Sequence, residues 1–298
     1  MKTRREPPDG RTRLLGIVGD PLAHSRSPSL HSAVLRALDR NLLYVPVPVS
    51  NARLRRFVEM ARDLGFVGFN VTTPYKERVY RWIEPLDRET QRTRMVNTVL
   101  VGRGRPRGTG TDGAGVVRWL ERSGLTRSPI GVLGFGPAAR SIVHRCWQDG
   151  LPIASVWTRR PRAVARMLAD WRHHARDLPG NGPSVCDWKQ VAGSGGALPA
   201  AQVHGVRTWV STLPPEAILP MAFWRTMRSD AVVLDLNYGD GRDRICRAAR
   251  RHGKPASDGL GPLLEQAALS LSLWLEEEVP VGAFRRAAGV RSADLRPR

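Results

Sequence analysis

At 298 residues, 41% of them hydrophobic, the chain can bury a large core, and its length fits two domains better than one because single cores rarely grow past roughly 250 to 300 residues. No run approaches the roughly 20 apolar residues that span a bilayer, and the first thirteen residues, MKTRREPPDGRTR, are charged with no apolar stretch behind them, so a cytoplasmic protein with a disordered basic tail over residues 1–13 and no membrane partner is expected. The formal net charge is +20, yet the arginines are scattered and aromatics make up only 6%, which argues against a nucleic-acid partner because such surfaces need clustered charge or a stacking platform.

In chain order, Leu14–Gly19 is an apolar run ending in glycine, read as a buried strand. Leu30, Val34, Leu35 and Leu38 then recur at helical spacing, with Ser27 as the expected N-cap and Pro28 as the first helical residue. Tyr44–Val49 reads as a strand, Arg53–Leu64 as a helix closed by Gly65, and Gly68–Thr72 as a third strand leading into a helix at Pro74. A glycine-rich stretch near residues 97–112 precedes a helix over about Gly115–Ser123. A second alternating series follows: the apolar runs Ile130–Leu133, Ala154–Trp157, Trp209–Ser211 and Val232–Leu236 suit parallel strands covered on both faces, with Ala138–Trp147 a helix between two of them. Leu178–Ala201 is expected to be irregular in part. A long amphipathic helix over Pro262–Glu278 and a polar tail end the chain. Cys146, Cys186 and Cys246 lack partners at metal-ligand spacing, so free thiols and no structural metal are expected.

Two features carry chemistry. Lys76 lies in the run Asn70-Val71-Thr72-Thr73-Pro74-Tyr75-Lys76, and it is one of only four lysines (Lys2, Lys76, Lys189, Lys254) in a chain that otherwise uses arginine for positive charge. Lysine can give up its proton when its surroundings are tuned, and arginine cannot. The other feature is Ile130 to Ala139, a strand, a glycine turn and a helix start that match G-x-G-x-x-A through Gly134, Gly136 and Ala139. The first glycine permits the turn, the second lets the backbone approach a pyrophosphate, and the small third residue lets helix and strand pack closely. About 20 residues on, Thr158-Arg159-Arg160 stands where an NAD site would place an acid on the ribose. Two guanidinium groups there suit a 2′-phosphate instead, pointing to NADP.

With these in hand, the chain from about Gly16 to Leu275 resembles the shikimate dehydrogenase family in five ordered motifs. They are Gly19-Asp20-Pro21-Leu22-Ala23-His24-Ser25-Arg26-Ser27-Pro28-Ser29-Leu30-His31, Asn70 to Lys76, Met95-Val96-Asn97-Thr98, Gly110-Thr111-Asp112-Gly113, and Asp258 to Gln266. The resemblance implies an α/β protein of two domains with a cleft between them. A substrate-binding domain over 14–112, completed by 259–298, would flank a Rossmann-type NADP-binding domain over 113–258. It further implies that Ser25 and Ser27 bind a carboxylate, that Asn70, Thr72, Asn97 and Gln266 hold ring hydroxyls, and that Tyr238 lies near the substrate. Lys76 and Asp112 would flank the reacting carbon. NADP would be held by Gly134, Gly136, Ala138, Ala139, Thr158, Arg159 and Arg160, with Gly259 touching the nicotinamide. The implied reaction is reversible reduction of 3-dehydroshikimate to shikimate by a monomer or homodimer; the alternatives are a quinate or aminoshikimate dehydrogenase, or a non-catalytic sensor of such ligands. The chain departs from the family pattern at Gly110, Pro137, Thr158-Arg159-Arg160 and Ser211-Thr212-Leu213-Pro214, mostly on the cofactor side.

Overall fold

The computed structural model describes residues 8–175, 178–189 and 200–298. The chain divides into two compact units, one formed by residues up to Thr111 with Leu264–Arg291, the other by Asp112–Leu263 with Ser292–Arg298.

In the first unit a six-stranded sheet has the order β2-β1-β3-β5-β6-β4. Its central strand β1 (Arg13–Gly19) runs parallel to β2 (Leu42–Pro48) and β3 (Phe66–Val71). Beyond β3 the short strands β5 (Thr98–Leu100) and β6 (Arg107–Thr109) pair antiparallel, and β4 (Glu84–Pro85) closes the edge parallel to β6. Apolar side chains of β1 and β3 pack with Leu54, Val58, Tyr75 and Val79 into one core. The helices are α1 (Ser27–Ala37), α2 (Leu54–Met60), α3 (Lys76–Val79) and α4 (Arg88–Thr93). Near the C-terminus come α11 (Leu260–Leu275), whose first turn belongs to the second unit, and α12 (Val281–Ala288). Trp274 at the end of α11 donates its indole N–H to the Val99 carbonyl at 2.9 Å, fixing that helix against β5.

Four local expectations change. Ser27 is the first helical residue and not the cap: the N-cap position is Arg26, which makes no side-chain capping bond, while the Ser25 hydroxyl accepts the Ser27 N–H at 3.3 Å. The helix expected over Arg53–Leu64 stops at Met60, and turns carry the chain to Gly65 at φ +80°. The helix expected at Pro74 starts at Lys76 and lasts one turn. The basic tail falls partly outside the described residues (1–7); the rest is held in a turn, with Thr12 N–H donating to the Asp9 carbonyl at 3.1 Å and Asn41 to the Asp9 carboxylate at 3.0 Å.

The second unit is a doubly wound sheet of order β12-β11-β10-β7-β8-β9, parallel throughout. Its strands are β7 (Ile130–Leu133), β8 (Ile153–Thr158), β9 (Ser184–Asp187), β10 (Thr208–Ser211), β11 (Val232–Asp235) and β12 (Ala256–Ser257). The strand order reverses between β7 and β10, the point at which such sheets open a crevice for a ligand. The helices are α5 (Asp112–Arg122), α6 (Pro137–Gln148), α7 (Pro161–His174), α8 (Ala200–His204), α9 (Met221–Thr226) and α10 (Arg244–Arg251). Strand β9 lies inside the stretch expected to be partly irregular, whose residues 190–199 are outside those described. The stretch read as a polar tail contains α12 and is divided between the two units. Phe284 of α12 is fully buried, and the last residues join the second unit, where the Leu295 carbonyl accepts the Trp119 indole N–H at 3.0 Å and Arg298 pairs with Ala256.

Candidate active site and cofactor loop

Strands β1 and β3 end at the same edge of the first sheet, because their parallel register pairs Ile17 with Asn70 and Val18 with Val71. Antiparallel β5 begins there and β6 ends there, with Asn70 opposite Thr98 and Thr98 opposite Thr109. That single edge therefore gathers Asn70, Thr72, Asn97, Thr98 and Thr111, and α11 lays Gln266 and Ser270 over them. The result is a buried neutral network. Asn70 Nδ2 donates to the Asn97 carbonyl (3.0 Å), Thr98 Oγ1 (3.2 Å) and Ser270 Oγ (3.1 Å), while Asn70 Oδ1 accepts from the Tyr44 hydroxyl (2.7 Å). Asn97 Nδ2 donates to Thr111 Oγ1 (2.9 Å) and Gln266 Oε1 (2.7 Å), and its Oδ1 accepts the Thr111 N–H at 2.6 Å. Asn97 thus fixes the backbone immediately before Asp112, the first residue of α5.

Lys76 is 9% exposed, far from a solvated surface lysine. Its carbonyl accepts the Val96 N–H at 3.1 Å, next to Asn97. Its neighbour Tyr75 is buried and donates its hydroxyl to the Val49 carbonyl at 2.7 Å. The lysine is therefore pinned by its backbone on a one-turn helix, with its side chain largely withdrawn from water. Ser25 is half-buried on the loop after β1 and Ser27 is buried as the first residue of α1; the Ser25 oxygen accepts the Ser27 N–H, which leaves the Ser25 O–H proton to donate elsewhere.

The second unit carries the nucleotide loop as a structure. Gly134 has φ +92°, and a Cβ there would stand 2.6 Å from Thr212 Oγ1, so only glycine fits. Gly136 is the N-cap of α6, and a Cβ built on it meets nothing within 4 Å. Ala139 is fully buried against the strand. Pro137 occupies the first helical turn, where a missing N–H is tolerated by the helix itself. At the end of β8, Arg159 and Arg160 are exposed, whereas Thr158 is buried and accepts the Arg160 N–H at 3.2 Å, shaping the turn that presents them. Gly259 follows β12 so closely that a Cβ would lie 2.1 Å from the Leu236 carbonyl. An open glycine cap at a helix N-terminus with two exposed guanidinium groups at the next strand end is a donor set that fits a dinucleotide phosphate.

Residues 17–99 match the family model described as the shikimate dehydrogenase substrate binding domain. Over 94% of its length the chain is 32% identical to the shikimate dehydrogenase (NADP(+)) of Methanopyrus kandleri, covering 96% of that protein. The chain belongs to the shikimate dehydrogenase family. Another member, from Anaeromyxobacter sp. (strain K), is 34% identical over 95% of this chain and 98% of its own. Among solved structures, shikimate 5-dehydrogenase from Thermus thermophilus in complex with NADP(H) and shikimate aligns with a TM-score of 0.75 at 25% identity, covering 93% of this chain and 98% of that one.

Within this shikimate dehydrogenase fold, sequence reasoning missed Tyr44, Thr98, Thr111 and Ser270, all members of the buried network. Ser270 was findable: it stands four residues after Gln266 on one helix face. Tyr44 was not, because only the parallel register of β1 with its two neighbours brings it to Asn70.

Proposed function

We propose that this chain catalyses the NADP-dependent, reversible reduction of 3-dehydroshikimate to shikimate. The observation that carries the reading is its near end-to-end similarity to dehydrogenases of that name, and the buried network supports it. A polyol ring needs neutral groups that each orient a hydroxyl, and a site built from amides and hydroxyls rejects analogues that leave them unpaired. With its Oε1 engaged by Asn97, Gln266 has its amide protons to offer a ring hydroxyl. Asn70, whose donors point into the network, contributes a remaining acceptor lone pair. Thr72 joins them at the same strand end, and Asn97 acts chiefly by holding Gln266 and Thr111. Ser25 and Ser27 supply hydroxyl donors to the substrate carboxylate.

The Gly134–Ala139 loop with Arg159 and Arg160 would hold the phosphates of NADPH, which when bound would supply the hydride. As the ketone is reduced, negative charge builds on its oxygen, and that oxygen needs a positive field and a proton. Lys76 provides both, and Asp112 orients the lysine and shares the hydroxyl's hydrogen bond. The test is steady-state kinetics with shikimate, quinate and aminoshikimate against NADP+ and NAD+. Shikimate with NADP+ is expected to give the highest kcat/KM; equal or better turnover of quinate overturns the substrate assignment. Lys76→Ala is expected to lower kcat by roughly 10²- to 10⁴-fold while KM for shikimate stays within a few-fold.

A further inference from the structure

Asp235 ends β11 as a fully buried carboxyl group, and Asn237, two residues on, is bonded to three strand ends at once. Its side-chain amide donates to the Leu213 carbonyl (2.9 Å) and to Asp235 Oδ1 (3.0 Å). Its backbone N–H donates to the same carboxyl oxygen (3.3 Å), and its carbonyl accepts the Gly259 N–H (3.0 Å). Leu213 follows β10, Asn237 follows β11 and Gly259 follows β12, so one residue laces three consecutive turns at the carboxyl edge of the parallel sheet. The lacing is reinforced from β10, where the Ser211 carbonyl accepts the Leu236 N–H (2.9 Å) and the Ser211 hydroxyl accepts the Leu213 N–H (3.4 Å). Turns that follow neighbouring parallel strands are otherwise joined only through the ladder behind them. A buried carboxyl group is costly unless hydrogen bonds compensate it, and here the compensation comes mainly from Asn237.

We propose that Asn237, braced by Asp235, is a positioning residue that sets Gly259 for the nicotinamide half of the cofactor. The proposal rests on the dehydrogenase reading, in which Gly259 serves the reacting end of the cofactor. Hydride transfer needs the reacting atoms within roughly 3 to 3.5 Å, and a misplacement of about 1 Å costs on the order of 10²-fold in rate. Replacing the Asn237 side chain by an apolar one strands the Leu213 carbonyl and leaves Asp235 Oδ1 the backbone N–H of residue 237 without the side-chain amide, so the turn that holds Gly259 through its backbone is no longer anchored to the turn after β10.

The experiment compares wild type, Asn237→Ala and Asp235→Asn by steady-state kinetics, by NADP+ titration of tryptophan fluorescence, and by amide hydrogen exchange. In Asn237→Ala, kcat is expected to fall and the NADP+ dissociation constant to rise by roughly 10-fold each, with KM for shikimate within about two-fold. Exchange at Gly259 should accelerate while β7 and β10 stay protected. Asp235→Asn keeps the shape and an acceptor oxygen, so it should move the same quantities in the same direction by less, and it serves if the alanine variant does not fold. Wild-type cofactor affinity with unchanged Gly259 exchange overturns the proposal, as does a loss confined to shikimate KM. If wild type binds NADP+ but turns over no shikimate, the dehydrogenase reading fails, and the binding and exchange data still decide the role of Asn237.

Discussion

His31 lies four residues after Ser27 on α1, wholly buried, with its ring flat on Tyr44 at 4.3 Å and Phe284 edge-on at 5.0 Å. Burial pushes its pKa down from 6.5 to about 3, so the ring is neutral in the folded protein. The unfolded chain takes up a proton at a higher pH than the folded one, and the stability His31 contributes is present above pH 6.5 and lost as pH falls toward 3. His31→Phe, which keeps an aromatic ring against Tyr44, should therefore flatten the urea midpoint between pH 7 and 4.5, where wild type loses up to about 1.4 kcal/mol per pH unit relative to the variant. A parallel pH dependence in both proteins would show that the histidine does not titrate in this way. Asp235 has the opposite sign: burial raises its pKa from 3.8 to about 7, the Asn237 hydrogen bonds work against that, and nearby Asp258 adds to it. Its stabilising effect is complete below about pH 4 and lost as pH rises to 7, while burial, with Asp235 and Asp258 adding to it, pushes the Cys246 thiol up to about 12. Neither residue was legible as a titrating group from the chain alone. His31 was visible as part of a motif, but its burial depends on Phe284, more than 250 positions away, and Asp235 is the fourth residue of the run Val232–Leu236, which read only as an apolar strand.

Gln266, Ser270 and Trp274 stand at successive four-residue intervals on α11, so one face of one helix carries a candidate ligand group, a network hub and an anchor. The helix was legible from its periodicity, and its polar positions were the less obvious part, since a serine on an apolar face usually means only a solvated edge. Here Ser270 is fully buried. Its hydroxyl bonds to Thr98 (2.7 Å), Asn70 (3.1 Å) and Thr111 (3.2 Å) and donates to the Gln266 carbonyl (3.0 Å). Ser270→Ala removes the hub and leaves these groups competing for fewer partners, at a cost of about 1 to 3 kcal/mol. Because Asn70 and Thr111 then lose their fixed orientation, KM for shikimate should rise several-fold while KM for NADP+ does not change; equal loss on both would mean the serine acts through general stability alone. Short elements were the hardest to read. Helix α3 is one turn long, too short for a helical period to emerge, and β9 reads Ser184-Val185-Cys186-Asp187 with only Cys186 buried, so it lacks the apolar run that marks its neighbours.

The parallel sheet of the second unit was legible because its strands are covered on both faces and read as uninterrupted apolar runs. The outer half of the first sheet was not: β4 and β6 are two and three residues long and carry Glu84, Arg107 and Gly108, composition that signals a loop. Charge was legible in amount and not in placement. A net +20 attracts anions over the whole surface, and salt screens that attraction with a Debye length of about 10 Å at 0.1 M. Contacts within a pair are screened less than this diffuse field. NADP+ carries one more phosphate than NAD+, and that phosphate is the group assigned to the exposed Arg159 and Arg160. Two contributions can therefore be separated. Raising ionic strength from about 0.05 to 0.5 M should raise KM for both cofactors through the diffuse field, and more steeply for NADP+ because of its extra charge. The double variant Arg159→Ser/Arg160→Ser should lose most of the preference for NADP+ at low salt, with a residual salt slope set by the remaining positive charge. An unchanged NADP+ KM in that variant would sink the assignment of the 2′-phosphate to this turn and leave the preference to the scattered arginines, in which case it would vanish at high salt in the wild type as well.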